Sequence, residues 1–242
     1  MPSYKSDFHA LYIMAALAVL IIVIWYFLPI GRIFLYPFVI LCTWFHEMGH
    51  GLTALLLGGH FDHLEMYWAG GVAYWSGNVF GGPIGRAIVA FAGPVAPTIV
   101  GSCFLLLSRK KSKKQLCRMI NLLFAVVIIV SIIIWVRSLF GIVAIGIFGV
   151  AFFCSAVWGN EKFNSVVLQF ISVQALMSIY LNLFYFFTPS LPGEKGMLLS
   201  DTGVISQCLL LPYWFWGGAV CLFSVLSIIF CVKKLTYKAT KR

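Results

Sequence analysis

His46, Glu47 and His50 stand in the order His-Glu-Met-Gly-His, and Glu47 is the only formally charged side chain between Ile33 and Leu57. On a helix, positions i and i+4 share one face, about 6 Å apart, so the two imidazoles can converge on one metal ion. Glu47 is turned by about 100° from His46. From there it can reach a metal-bound water without ligating the ion. Zinc lowers the pKa of such a water to about 7, and a neighbouring carboxylate can take its proton. This HExxH pattern works only on a helix, and the apolar run from Phe38 to Leu57 predicts one. Gly49 and Gly51 lie on its polar stretch, small enough for close helix approach or substrate access.

The seven acidic residues are Asp7, Glu47, Asp62, Glu65, Glu161, Glu194 and Asp201, and only Glu47 falls in the middle of an apolar run. A charged side chain at the bilayer centre costs at least roughly 2.5–3.5 kcal/mol, so such residues are functional by default. The bland alternative is a chance HExxH on a helix face, which is weaker here because histidine and glutamate are scarce. A catalytic zinc takes three protein ligands and leaves one position open. His60, Asp62 and His63 follow within a loop, and Asp201 begins the last apolar run. Asp201 also suits a helix N-cap, and Asp62 and His63 suit a solvated turn. Residue chemistry leaves these choices open.

The elements that must position these groups belong in lipid. The chain of 242 residues is 62% hydrophobic and 10% charged, whereas a soluble domain is about 25% charged. Residues 11–28, 87–107, 119–136, 138–160, 165–188 and 204–232 carry no charge, and about 20 apolar residues cross a bilayer. We expect an all-α polytopic transmembrane helical bundle of about seven spans, near 10–30, 33–57, 83–107, 119–136, 139–158, 165–187 and 204–232. Residues 60–82 form a mixed loop, a short hairpin or a re-entrant piece, and 188–200 a polar loop. The whole of 1–242 reads as one integral membrane domain. Its metal-site core comes from the spans near 33–57, 83–107 and 204–232.

The net charge is +10, but the basic residues cluster beside spans, at 109–118 and 233–242, with no nucleic-acid motif. With the N-terminus outside, 13 of the 17 Lys and Arg fall on the cytoplasmic side. The positive-inside rule then puts the C-terminus in the cytoplasm and the histidines in the outer half of their span. The seven cysteines form no CxxC pair and read as small buried apolar residues.

The sequence resembles the site-2 protease class, the M50 intramembrane zinc peptidases, and looks closest to the M50B-like branch. Three pieces carry the likeness: Phe45 to Gly51 followed by Gly58-Gly59; Ala92-Gly93-Pro94-Val95-Ala96-Pro97, similar to the family's glycine–proline segment at the start of the next core helix; and Ser200-Asp201-Thr202-Gly203, followed by Pro212-Tyr213-Trp214. The chain departs from the family where Thr202 separates Asp201 from Gly203, where Pro97 replaces a frequent asparagine, and in having no inserted PDZ-like domain. The resemblance implies a Zn2+-dependent endopeptidase cutting a transmembrane helix of a substrate protein. It implies His46 and His50 as ligands, Glu47 as the water-activating base and Asp201 as third ligand. It also implies Gly70-Gly71 beside an extended substrate strand. Site-2 proteases cut near the cytoplasmic face, which opposes the charge-based placement.

Two other functions compete: a catalytically silent membrane scaffold, which has no need of Glu47, and a metal or proton transporter, which usually places charges in more than one span. The expected partners are a transmembrane protein substrate and the lipid bilayer, not nucleic acid. No organelle signal or glycosylation sequon occurs, so the default location is a bacterial inner membrane.

Overall fold

The histidine-bearing run folds as one helix, α1, Pro29–Leu56. The computed structural model describes residues 29–108, 115–193 and 196–240, with Leu20 and Val23. The expected span 10–30 lies almost wholly outside these residues, as do the basic residues 109–114. α1 stops at Gly58, whose φ of +82° lies in the left-handed region that glycine enters freely.

The chain then turns back as an antiparallel hairpin of β1, His60–Tyr67, and β2, Gly70–Ser76. The hairpin runs down the side of α1. Gly51 lies against the Phe61 ring, a Cβ on Gly71 would stand 3.1 Å from Thr43 Cγ2, and Tyr36 Oη donates to Trp68 O at 2.5 Å. From Gly51 to Tyr36 that course covers about 22 Å of helix.

Helices α2, Pro83–Ser108, α3, Leu116–Ile134, α4, Leu139–Trp158, and α5, Glu161–Leu181, follow. The short α6, Leu183–Phe186, leads to a second hairpin, β3, Ser190–Gly193, with β4, Gly196–Leu199. Helices α7, Asp201–Cys208, and α8, Tyr213–Thr240, close the order. Segment 188–200 therefore carries paired strands and is not a plain loop, because Leu191 and Leu198 pair across it.

Among the described residues, five helices are long and apolar enough to cross a membrane: α2, α3, α4, most of α5, and α8 up to Leu235. The expectation of about seven also counted 10–30 and the run within α1, which carries His46, Glu47 and His50. The expected span 204–232 is two helices. Pro212 has no N–H and pushes Leu211 out of helical geometry, and Leu209 is already extended at φ −129°, ψ 117°. The glycine–proline segment also falls elsewhere than expected. Pro94 and Pro97 lie inside α2, well past its start at Pro83.

The apolar face of α1 packs into an aromatic cluster. Trp44 and Phe45 meet Phe124 of α3, which also touches Phe104 of α2 and Phe152 of α4. Trp44 Nε1 donates to Ser131 Oγ at 3.2 Å, satisfying a buried polar atom. In lipid the gain from such packing is dispersion and hydrogen bonding, since tails are as apolar as the side chains they replace. The far edge of β1 is also tied down. Leu64 N donates to Trp135 O at 2.8 Å, and Arg137 N donates to Leu64 O at 2.9 Å. β1 is thus held on both sides, and β2 lies beside α1.

Candidate metal centre

One turn of α1 brings His46 and His50 together, with ring centroids 4.8 Å apart and Nε2 atoms 3.0 Å apart. His50 is buried and pinned at its other nitrogen, where Nδ1–H donates to Val89 O of α2 at 2.8 Å. A carbonyl only accepts, so this bond puts the proton on Nδ1 and leaves the Nε2 lone pair free. The rings fit because α2 presents almost no side chain there. A Cβ on Gly93 would overlap the His50 imidazole, and one on Gly49 would stand 2.7 Å from Ala92 O. The prolines at 94 and 97 leave the carbonyls one turn earlier without helical donors.

Asp201 enters from α7. Ser200 caps that helix through its Oγ, which accepts from Gly203 N at 3.1 Å, and Ser200 Oγ itself donates to Thr188 O at 2.5 Å. Asp201 therefore sits in the first turn and is not the cap. Its Oδ2 lies 3.0 Å from His46 Nε2, and its Oδ1 lies 3.1 Å from His50 Nε2. The lone pairs of His50 and Asp201 face each other and repel unless a proton or a cation lies between them. A tetrahedral zinc with bonds of about 2.0–2.1 Å holds neighbouring donors roughly 3.3 Å apart. Each imidazole nitrogen stands close to that spacing from its own Asp201 oxygen, at 3.0 and 3.1 Å, and from the other imidazole nitrogen, at 3.0 Å. Among the described residues this is the group of three that could hold a metal ion, and its two imidazoles and one carboxylate suit zinc.

Glu47 stays outside that triangle. It is buried, and its Oε2 accepts from Ala73 N of β2 at 2.8 Å. A Cβ on Gly71 would stand 3.0 Å from Glu47 Cγ, whereas Gly70 faces open space. The alternative ligands lie on the hairpin, away from this cluster. His60 and Asp62 are exposed, and Asp62 accepts from Ser76 Oγ at 3.0 Å. His63 stacks on Tyr74 at 4.3 Å.

A sequence model described as Peptidase M50B-like matches residues 11–231. The chain belongs to the Peptidase M50B-like family. No curated protein and no solved structure matches it significantly. As an M50 family protein it is a membrane metalloprotease by family, and its apolar helices make it an integral membrane protein.

In this M50B-like chain three contributors to the cluster carry no sequence signal of their own. Val89 acts through its carbonyl and Ala73 through its N–H, and a backbone group is invisible in residue type. Tyr185, in the aromatic run 184–187, donates from Oη to Asp201 Oδ2 at 3.0 Å. One tyrosine among phenylalanines in an apolar run does not announce that contact.

Proposed function

We propose that this protein is a zinc-dependent intramembrane endopeptidase that hydrolyses a peptide bond in or near a transmembrane segment of a substrate protein. The observation that supports this reading is the triangle of His46, His50 and Asp201 with Glu47 one residue from His46 on the same helix. His46 Nε2, His50 Nε2 and a carboxylate oxygen of Asp201 would hold the ion. Bound there, zinc supplies a Lewis acid that polarises a carbonyl and acidifies water.

The chain's own residues supply the rest. The Val89 bond keeps the His50 lone pair aimed inward. The Ala73 N–H holds Glu47 Oε2, and we assign Oε1 to taking the proton from water and returning it to the leaving amine. Strand alternation turns the backbone groups of Gly71 to the same edge of β2 as the Ala73 N–H. An extended substrate segment added along that edge would lie next to Glu47, and the missing side chain of Gly71 lets β2 approach Glu47 and Thr43 closely. Gly70 would ease the substrate's approach at the hairpin's end.

Hydrolysis needs water. A cavity of about 560 Å3 opens between the start of α2 and the end of α7, lined by Asn78, Arg86, Gln207 and Cys208 among others. It lies about two helical turns from Asp201 along α7, and we assign it as the water entrance. By the positive-inside rule that end faces away from the cytoplasm, with the C-terminus inside.

The test is purification in detergent, zinc quantification, and cleavage of a labelled transmembrane peptide by native protein and by Glu47→Gln. Zinc near one per chain, with cleavage lost only in the variant, is the expected result. Absence of zinc, or equal cleavage by both proteins, overturns the reading.

A further inference from the structure

The arrangement around Asp201 contains a residue that none of the motifs includes. Tyr185 sits in α6, a single helical turn seated tightly on α8. Phe186 is buried beside Val220, and the Phe186 carbonyl occupies the space a side chain on Gly217 would need. That seat fixes the Tyr185 ring, which meets His46 edge-on at 6.2 Å.

The Tyr185 hydroxyl makes two bonds to one residue. It donates to Asp201 Oδ2 at 3.0 Å and accepts from Asp201 N at 3.2 Å. The direction is forced, because the backbone N–H can only donate and the hydroxyl proton is then free for the carboxylate. The two bonds close a ring around the side-chain torsions of Asp201. They hold Oδ1 toward His50 and Oδ2 toward His46. Without them Asp201 has another attractive place to go. A carboxylate in the first turn of a helix is drawn to that turn's own N–H groups.

We propose that Tyr185 is the positioning residue that holds Asp201 in metal-binding geometry. The inference rests on the metal-site reading above and goes one step beyond it: the third ligand is competent only while Tyr185 restrains it. Hydrogen-bond partners of ligating groups typically set 10–100-fold in metal affinity, and that is the effect assigned to this hydroxyl.

The experiment uses the full chain in detergent. Zinc affinity is measured by competition with a chelator for native protein, Tyr185→Phe, Asp201→Ala and the double variant. Co2+ absorption spectra and peptide cleavage at rising zinc accompany it. Tyr185→Phe should bind zinc 10–100-fold more weakly, with an altered Co2+ spectrum. It should regain cleavage as zinc is raised, with an unchanged KM. In the Asp201→Ala background the Tyr185→Phe change should have no further effect, since its carboxylate partner is gone. This arm decides the matter even if Tyr185→Phe lowers the melting temperature. Native zinc affinity and spectrum in Tyr185→Phe, or full additivity in the double variant, overturns the role of Tyr185 alone. A native protein that binds no zinc overturns the metal site itself.

Discussion

Oδ2 of Asp201 lies 3.0 Å from Nε2 of His46, although one residue opens α7 and the other sits in the second half of α1. Replacing Asp201 with Ala removes the only carboxylate in the triangle and leaves two imidazoles. Zinc content of the purified variant should fall well below that of the native protein. A strong chelator should abolish cleavage by the native protein, and added zinc should restore it. Native zinc content in Asp201→Ala would transfer the third position to another group.

Glu47→Gln keeps an oxygen able to accept the Ala73 N–H but removes the basic group. Positioned acid–base groups typically contribute 10²–10⁴-fold. Cleavage should fall by about that factor while zinc content stays unchanged. Loss of both together would mean that Glu47 holds the site's structure instead of moving a proton.

Two glycine substitutions should separate sharply. A Cβ on Gly93 overlaps the His50 ring, while one on Gly70 meets open space. Gly93→Ala should lose zinc binding and cleavage, and Gly70→Ala should retain zinc near the native level. Gly71→Ala presses on Glu47 Cγ at 3.0 Å and should reduce cleavage more than zinc content. Zinc assay and peptide cleavage on the same preparations check all three.

Away from the site, Asn121 Nδ2 donates to Asn164 Oδ1 at 2.7 Å, Ser155 Oγ donates to the same oxygen at 3.2 Å, and Asn164 Nδ2 donates to Asn160 O at 3.0 Å. The first two of these bonds are buried and join α3, α4 and α5. Asn164→Leu should cost about 1–3 kcal/mol through the groups left unpaired, seen as a lower melting temperature in detergent. Zinc stoichiometry should not change.

Cys208 lines the cavity between α2 and α7. In a variant with the other six cysteines changed to serine, a membrane-impermeant thiol reagent should label Cys208 in intact proteoliposomes. The adduct should also slow cleavage. Labelling without any effect on cleavage would remove this cavity from the water path.

Much of the architecture was legible in residue order because lipid imposes a simple requirement. Every backbone polar group must be satisfied within its own segment, so a charge-free run of about 20 residues has to be a helix. The run at 204–232 looked continuous because its residues are uniformly apolar. Its break at Leu209–Pro212 depends on one proline and its neighbour, and hydropathy averages that out. The family likeness puts the glycine–proline segment at the start of a core helix, but α2 carries Pro94 and Pro97 in its interior, where close packing against α1 decides their place.

By itself the sequence determined a membrane-embedded helical protein and the nearness of His46, Glu47 and His50, because a spacing of four residues becomes a fixed distance once the helix forms. Residue chemistry left Asp201, Asp62, His60 and His63 open for the remaining place in the cluster, and only the family resemblance pointed to Asp201. Only the tertiary structure decided which group stands there. Contacts between distant segments depend on how α1, α2, α6 and α7 pack, and on backbone atoms such as Val89 O and Ala73 N that residue identity does not encode.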